Sequence, residues 1–366
     1  MTRIGETIGV EEEFHLVSPE TGMPASGAEA VLATVPEGIN VMQQEFQRSM
    51  LETATEVCTD LDGLRAAVVR ARSQVIAAVE QSGLALAAVG TVPGGGLPLG
   101  AVFPDERYRR ISDEYQQLAV EQQVCACQVQ VGIEDKELAV RSIRRVRPWL
   151  PALLALSAGS PYFRHGDTGY SSYRNIITSR WPTGGPPPAF NGLEDYERRT
   201  SKLVEAGVIS DLGMIYYDVR PSARFPTLEV RIADACPLVD DVITIAALSR
   251  ALVITAGEAE LRGDPPPAIE DEMLRAATWK AARSGLTGQL VDPVAGQPVK
   301  AAELLRHFVS YVRDALDDRG ETQRALDGIE AIQKRGTSSQ RQRRVLNSGT
   351  GFEGVVASVT AETRLP

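Results

Sequence analysis

The chain has 366 residues, of which 43% are hydrophobic, and a formal net charge of −10 at pH 7. This length and composition suit a globular protein with a sizeable core, while the negative charge argues against a nucleic-acid groove. No stretch approaches the ~18 uninterrupted apolar residues of a membrane helix, and no signal-peptide core follows the start, so we expect a cytoplasmic protein without nucleic-acid or membrane partners.

Strand and helix patterns alternate in the first part of the chain. Period-two alternation of apolar and polar residues indicates strands, and apolar residues at helical spacing indicate helices. The third predicted helix of this part is broken by two prolines, Pro148 and Pro151. The predicted elements are, in chain order, a strand at 8–14, a strand within 46–55, a helix at 60–82, a buried strand at 84–89, a helix at 108–123, a strand at 125–133 and a helix at 137–157.

The second part of the chain begins with an irregular segment at 159–188, rich in Gly, Pro, Ser and Thr. Long irregular segments of this composition more often contribute to function than serve only as connections. Strands at 215–220 and 227–233 are typical of a hairpin. From 240 onward the pattern is mainly helical, with helices predicted at 242–260, 269–284 and 303–316. We predict one α+β domain over 1–366, whose end, 321–366, is a partly mobile tail.

Two further compositional features have simple interpretations. The basic cluster at 334–344 is either a solvated segment or an arm that reaches a phosphate group. The cysteines are too few for a disulfide framework in a chain of this length, so buried free thiols are expected. They are Cys58, Cys125, Cys127 and Cys236.

Paired carboxylates are the strongest local feature of the sequence. Glu11 and Glu13, in Gly9-Val-Glu-Glu-Glu-Phe14, lie two residues apart on a predicted strand, so their side chains point the same way, about 7 Å apart. On a buried face they would repel each other unless cations neutralised them, and hard divalent cations prefer such oxygen ligands. The alternative is an edge strand whose acidic face is solvated.

Three other strand-like segments carry polar residues that could join this pair. Glu45 and Glu52 flank a segment that otherwise looks like core, where an unpartnered carboxylate is costly. Glu229 and Arg231 share one face of the strand at 227–233, as an ion pair or as a site for a metal and a phosphate. Gln128 and Gln130 lie opposite the thiols of the strand at 125–133, facing either solvent or a cavity.

In order along the chain, these segments resemble the type-2 glutamate–cysteine ligase family of carboxylate–amine ligases, which includes the YbdK-like proteins. The resemblance covers nearly the whole chain. The motifs that carry it are Gly9-Val-Glu-Glu-Glu-Phe14, Ser49-Met-Leu-Glu-Thr-Ala-Thr-Glu56, Arg147-Pro-Trp-Leu-Pro151, Ala155-Leu-Ser-Ala-Gly-Ser-Pro161, Asp167-Thr-Gly-Tyr-Ser-Ser-Tyr-Arg174, Trp181-Pro-Thr-Gly-Gly185, Asp218-Val-Arg-Pro221, Pro226-Thr-Leu-Glu-Val-Arg231 and Ala281-Ala-Arg-Ser-Gly-Leu286.

The resemblance implies a glutamine-synthetase-like fold, in which an antiparallel sheet forms a cradle and helices pack on its outer face. It also implies ATP and Mg²⁺ as cofactors, amino-acid and amine substrates, and a homodimer. Arg231, Glu52 and Arg174 would be catalytic, and Arg231, Arg220 and Gln128 would contact the nucleotide. The implied metal ligands are Glu11, Glu13, Glu45, Glu52 and Glu229.

The chemistry that the family performs accounts for such a concentration of charge. A carboxylate attacks the γ-phosphate of ATP to form an acyl phosphate, and an amine then displaces phosphate to form an amide. Because the attacking anion and the triphosphate repel each other, magnesium ions and an arginine must neutralise their approach. No protein nucleophile is needed, in agreement with the absence of a convincing Ser-His-Asp arrangement in the sequence.

One departure from the family pattern concerns the strand at 125–133. Family members usually have His-Val-His-Val-Gly where this chain has Gln128-Val-Gln-Val-Gly132. A glutamine can offer a carbonyl oxygen to magnesium, but it is uncharged and does not titrate. The activity could be intact with an altered metal preference, the substrate could have changed, or catalysis could have been lost.

The leading hypothesis is therefore an ATP-dependent ligase that joins an amino-acid carboxylate to an amine. The favoured acid is the γ-carboxylate of glutamate, and the favoured amine is that of cysteine. One alternative is an amide ligase of specialised metabolism with another acid and amine. The other is a catalytically silent relative that binds a nucleotide or an amino acid. The many like-charged carboxylates argue against the silent relative, and Gln128 argues for it.

Overall fold

A computed structural model describes residues 3–35, 42–96 and 101–366 of the chain. Its strands are β1 Ile4–Val17, β2 Met42–Gln44, β3 Met50–Ala54, β4 Ala85–Ala87, β5 Ala126–Ile133, β6 Tyr162–Phe163, β7 Gly166–Asp167, β8 Val219–Pro221, β9 Thr227–Asp234, β10 Gln289–Asp292 and β11 Gln297–Lys300. Its helices are α1 Ala28–Leu32, α2 Leu61–Gln81, α3 Glu106–Tyr115, α4 Gln117–Glu121, α5 Lys136–Val146, α6 Leu150–Ser157, α7 Tyr173–Thr178, α8 Leu193–Glu205, α9 Val239–Arg262, α10 Asp271–Ser284, α11 Ala301–Tyr311, α12 Arg313–Asp318, α13 Thr322–Arg335, α14 Ser338–Val345 and α15 Gly351–Thr363.

The main sheet is antiparallel, with its strands in the order β2-β3-β1-β5-β9-β8 and β4 paired to the end of β1. Apolar side chains such as Val10, Val129 and Val230 point to one face and are fully buried there. Helices α2, α5, α6 and α9 pack on this face. The other face is polar and open. The predicted α+β fold, a sheet cradle with helices on its outer face, is confirmed.

Helix α9 forms the centre of the apolar layer. Within the described ranges it is the one helix long and apolar enough to cross a membrane, but 89% of its apolar window is buried inside the protein. Its neighbours include β1, β5, α2, α5 and α13. Burial on all sides explains why the helix is apolar all round.

Most predicted elements are confirmed, with differences that have local causes. Helix α2 begins after Asp60, whose Oδ1 accepts a hydrogen bond from the Gly63 amide at 2.8 Å. The helix predicted at 108–123 is two helices, because the backbone at Gln116 has a positive φ of 49°. The prolines divide 137–157 as expected, with a short turn of 3₁₀ helix at Arg147–Trp149.

Two elements of the structure carry no clear sequence signal. Helix α8 buries only Tyr196 and Thr200, so its apolar periodicity is weak. The β10–β11 hairpin is short and largely polar, and it pairs only with itself. The irregular segment at 159–188 also contains short elements, β6, β7 and α7.

The basic cluster at 334–344 is partly engaged within the protein, although Lys334 and Arg344 are exposed. Arg341 pairs with Glu362 at 2.9 and 2.8 Å, and Arg343 pairs with Asp167 at 3.2 and 2.8 Å. The segment predicted as a tail consists of helices α13, α14 and α15, of which α13 packs on α9 and α15 on β4. The side chains of Arg341 and Arg343 are therefore engaged in ion pairs within the protein.

Candidate active site

A row of polar side chains crosses the open face of the main sheet. Paired residues on neighbouring antiparallel strands project their side chains to the same face, so the register decides which polar groups meet. In order across the sheet, the pairs are Glu13 with Glu52, Glu11 with Gln128, Gln130 with Glu229, and Arg220 with Glu229.

This row forms a wall of a cavity of about 1020 Å³. Glu45, which follows β2, and Arg174, on α7, reach the same cavity from outside the row. Every residue that the sequence predicts for the site lines this cavity. They are Glu11, Glu13, Glu45, Glu52, Gln128, Gln130, Arg174, Arg220, Glu229 and Arg231.

Four of these carboxyl groups disfavour one another's ionised form. Burial, followed by the charge of Glu45, raises the pKa of Glu13 to about 7. Burial also raises the pKa of Glu52 well above its usual range, with further contributions from Glu45, Glu11 and Glu13. The pKa values of Glu11 and Glu45 are raised as well, mainly by burial. The surroundings of these four carboxyl groups therefore favour their protonated form.

Two glutamines on β5 hold the carboxylates of β1 in place. The Gln128 amide nitrogen donates to Glu13 Oε1 at 2.6 Å, and its carbonyl oxygen accepts a hydrogen bond from Arg231. The Gln130 amide nitrogen donates to Glu11 Oε1 at 3.1 Å. Gln128 is thus a neutral bridge between the acidic side of the cavity and its arginine, and both glutamines face the cavity rather than solvent.

The opposite side of the row carries compensated charge. Arg220 makes a two-point contact with the carboxylate of Glu229, at 3.2 and 3.1 Å, and Arg231 contacts the same carboxylate. Burial opposes ionisation of Glu229, but the charges of Arg231 and Arg220 lower its pKa to about 2. Of the five carboxylates predicted as metal ligands, Glu229 is the one paired with arginines here.

Arg174 is tied into a buried network beneath the cavity. Its Nε donates to Asp234 Oδ1 at 2.7 Å, and its Nη2 donates to the carbonyl oxygen of Ile232 at 2.5 Å. Asp234 is fully buried and also accepts from the hydroxyl groups of Ser160 and Ser172. Much of the guanidinium group therefore serves to anchor α7 to β9, and a contact with substrate remains a prediction.

Several cavity residues are not singled out as site residues by the sequence patterns. The most informative is Asp218, whose carboxyl group is 95% buried and whose pKa burial raises to about 7. The spacing of Asp218, just before β8, and Arg220, within it, was the available signal, because residues two apart in extended chain share a face. The others are Arg107, Tyr108, Trp181 and Tyr216.

The cavity fits a divalent cation by its chemistry. Among the described residues, no three His, Cys, Asp or Glu side chains already stand in a metal-binding arrangement. However, Glu11, Glu13, Glu45 and Glu52 are oxygen donors whose burial and mutual repulsion a hard cation would relieve. The cysteines play no part in this site, because all four are buried free thiols, as predicted.

Comparison with known sequences gives the family. The model of glutamate–cysteine ligase family 2 matches residues 7–362. A Mycolicibacterium vanbaalenii protein provisionally named glutamate–cysteine ligase 2-2 is 40% identical, over 98% of this chain and 98% of its own length. A Frankia casuarinae protein, also provisionally named glutamate–cysteine ligase 2-2, is 42% identical over 98% of this chain, which spans 41% of that longer protein.

Solved structures share the fold. A glutamate–cysteine ligase from Francisella tularensis in complex with AMP matches 100% of this chain and 90% of its own, with a TM-score of 0.70 and 12% identity. A bifunctional glutathione synthetase from Pasteurella multocida matches 98% of this chain and 52% of its own, with a TM-score of 0.69 and 14% identity. At such low identities the likeness concerns the fold alone.

Proposed function

The chain belongs to glutamate–cysteine ligase family 2, a family of ATP-dependent carboxylate–amine ligases, and we propose that its substrates are glutamate, through the γ-carboxylate, and cysteine. The observation that carries the proposal is the division of one cavity into two sides. Four carboxyl groups with raised pKa values face one side, two of them buried and two half-buried, and two arginines stand at the other. This division suits a reaction that brings an anionic acid to an anionic triphosphate.

The protein's own residues hold the reactants in this scheme. Arg231 and Arg220 receive the phosphates of ATP, and Gln128 keeps Arg231 aligned with the acidic side through its bridge to Glu13. Glu11, Glu13, Glu45 and Glu52 would hold magnesium, and Glu229 would be a further ligand. Bound magnesium would neutralise the phosphates and the attacking carboxylate.

In this proposal the protein acts in the cytoplasm, as a homodimer, on small-molecule substrates. ATP and Mg²⁺ belong to the same proposal. The bridge by Gln128 supports the first of the three outcomes left open by the sequence, in which activity is intact, because the glutamine occupies the site with both ends of its amide engaged.

Removal of single carboxylates tests the proposal. We expect Glu11→Gln and Glu229→Gln to abolish most of the ADP release that glutamate and cysteine elicit with ATP and magnesium. The matched control is Glu6→Gln, which changes an exposed glutamate of β1, the strand of Glu11. Among the described residues, its ion-pair partner is Arg3, which is also exposed. ADP release near the wild-type rate in either site variant contradicts the proposed roles. ATP binding without ADP release by the wild-type protein would indicate a silent relative.

A further inference from the structure

Asp218 is a buried acid in the cavity whose Oδ2 has no hydrogen-bond partner in the described part of the chain. Its side chain lines the cavity, and among the described residues no donor lies within hydrogen-bond distance of its Oδ2. Buried polar atoms in proteins are nearly always paired, and an exception needs an explanation. The carboxyl group is therefore placed to meet a donor that arrives with a substrate.

The backbone around Asp218 is fixed, so the carboxyl group has little freedom to find a partner elsewhere. The Asp218 amide donates to the carbonyl oxygen of Gly185 at 2.9 Å, and the Asp218 carbonyl oxygen accepts from the Arg231 amide at 2.8 Å. Asp218 directly precedes β8, the strand at the edge of the sheet, which lies beside β9. Asp218 is thus held on both sides by main-chain bonds.

The charged groups that face Asp218 are both engaged with other partners. They are Arg174 of α7, whose guanidinium contacts Asp234, and Arg231 of β9, whose guanidinium contacts Glu229 and Gln128. Their charges favour the ionised form of Asp218, burial opposes it more strongly, and the resulting pKa is about 7. A carboxyl group of this kind exchanges a proton readily near neutral pH.

The proposed reaction needs a group with that property. An α-amino group is largely protonated at pH 7 and has no free electron pair for attack on an acyl phosphate. We propose that Asp218 receives the amine substrate, accepting a hydrogen bond from its ammonium group and then taking one proton from it. This inference rests on the proposed ligase function and adds a residue role to it.

The step balances as follows. The ammonium group gives one proton to the Asp218 carboxylate and becomes a neutral amine. The amine's electron pair forms the C–N bond to the acyl carbon while the C–O bond to the phosphate breaks, and phosphate leaves with the electron pair of that C–O bond. The amide nitrogen loses its second proton to the departing phosphate, and Asp218 returns its proton to solvent.

A comparison of two amines tests this role. Cysteine brings a protonated amino group, whereas hydroxylamine is largely uncharged at neutral pH and needs no base to attack. With ATP, magnesium and glutamate, we expect Asp218→Asn to slow product formation from cysteine by about 10²–10⁴-fold, the usual contribution of a general base, and to leave the hydroxylamine rate near that of the wild type. Asp241→Asn, a change of another buried aspartate outside the cavity, should leave the ratio of the two rates unchanged.

Three results would overturn the proposal. Equal losses with both amines would show a merely structural role, and equal retention would show no role. Calorimetry of cysteine binding gives a readout without turnover, in which Asp218→Asn should weaken affinity about tenfold or more, and unchanged affinity contradicts the proposal. Failure of the proposed function itself looks different, because the wild-type protein would then release no ADP with glutamate and either amine.

Discussion

The ion pair between Glu12 and Arg72 should contribute more to stability than any exposed pair on the same strand. Glu12 lies on the core face of β1, between the two cavity glutamates, Glu11 and Glu13. Its oxygens accept from Arg72 Nε at 3.0 Å and from Nη2 at 2.6 Å, and both side chains are at least 96% buried. Arg72 also donates to the carbonyl oxygens of Cys236 and Pro237. The pair thus joins β1, α2 and the loop between β9 and α9.

The expected loss follows from these contacts. Glu12→Gln conserves volume and one acceptor oxygen, but it removes a charge-assisted hydrogen bond and leaves the Arg72 cation buried without a counter-charge. Removal of one partner from a buried ion pair costs about 3–5 kcal/mol of unfolding free energy. Because two carbonyl oxygens still receive the guanidinium, we expect the lower part of that range, about 3 kcal/mol.

Urea unfolding followed by circular dichroism measures this loss, and the exposed pair provides the control. Glu6→Gln, which changes a partner of exposed Arg3, should shift the unfolding free energy by no more than about 0.5 kcal/mol. The double variant Glu12→Gln/Arg72→Met should lose less than the sum of its single variants, because it no longer buries a lone charge. A loss below about 1 kcal/mol for Glu12→Gln would refute the reasoning.

Three further predictions concern the charges of the site. The folded-state pKa of Glu13 is raised to about 7, so the stability that its protonated form provides is complete below its unfolded-state pKa and lost as pH rises through 7. Without metal, we expect Glu13 to contribute a loss of roughly 3 kcal/mol across that range in urea titrations. Glu13→Gln should reduce the pH dependence but not remove it, because the pKa values of Glu11, Glu45 and Glu52 are raised as well. Above pH 7, magnesium should raise the melting temperature of the wild type, and it should raise that of Glu52→Gln by less. An equal rise in both proteins would contradict the proposed metal site. Asp234→Asn should cost about 3–5 kcal/mol in urea unfolding, because it leaves the buried Arg174 cation without its partner; a cost near zero would show that the backbone carbonyls suffice.

The strands of the site could be predicted because their signal is local. Alternation along β1, β5 and β9 separates the core face from the polar face within each strand, whatever the partner strand is. The cavity itself could not be derived in this way. The register that sets Glu11 opposite Gln128 and Gln130 opposite Glu229 joins residues about a hundred positions apart, and only the family resemblance pointed to it.

The partners in long-range ion pairs could not be predicted from the sequence. Arg343 looks like a free cation near the end of the chain, but its partner, Asp167, lies 176 residues earlier. Arg174 looks available for substrate, yet Asp234 holds it from the far end of β9. Asp218 has the opposite character, because its local sequence suggests an ordinary strand end and only its surroundings reveal an unpartnered buried acid.

The central claim is that this cavity joins an acid to an amine at the expense of ATP. The most direct test is ADP release by the purified protein with ATP and magnesium, with glutamate alone and with glutamate plus cysteine, followed by mass spectrometry of the product. We expect ADP release that depends on magnesium and on both amino acids, and a product heavier than cysteine by one glutamyl unit. ADP release that is indifferent to both amino acids, or none with any acid and amine despite bound ATP, would contradict it.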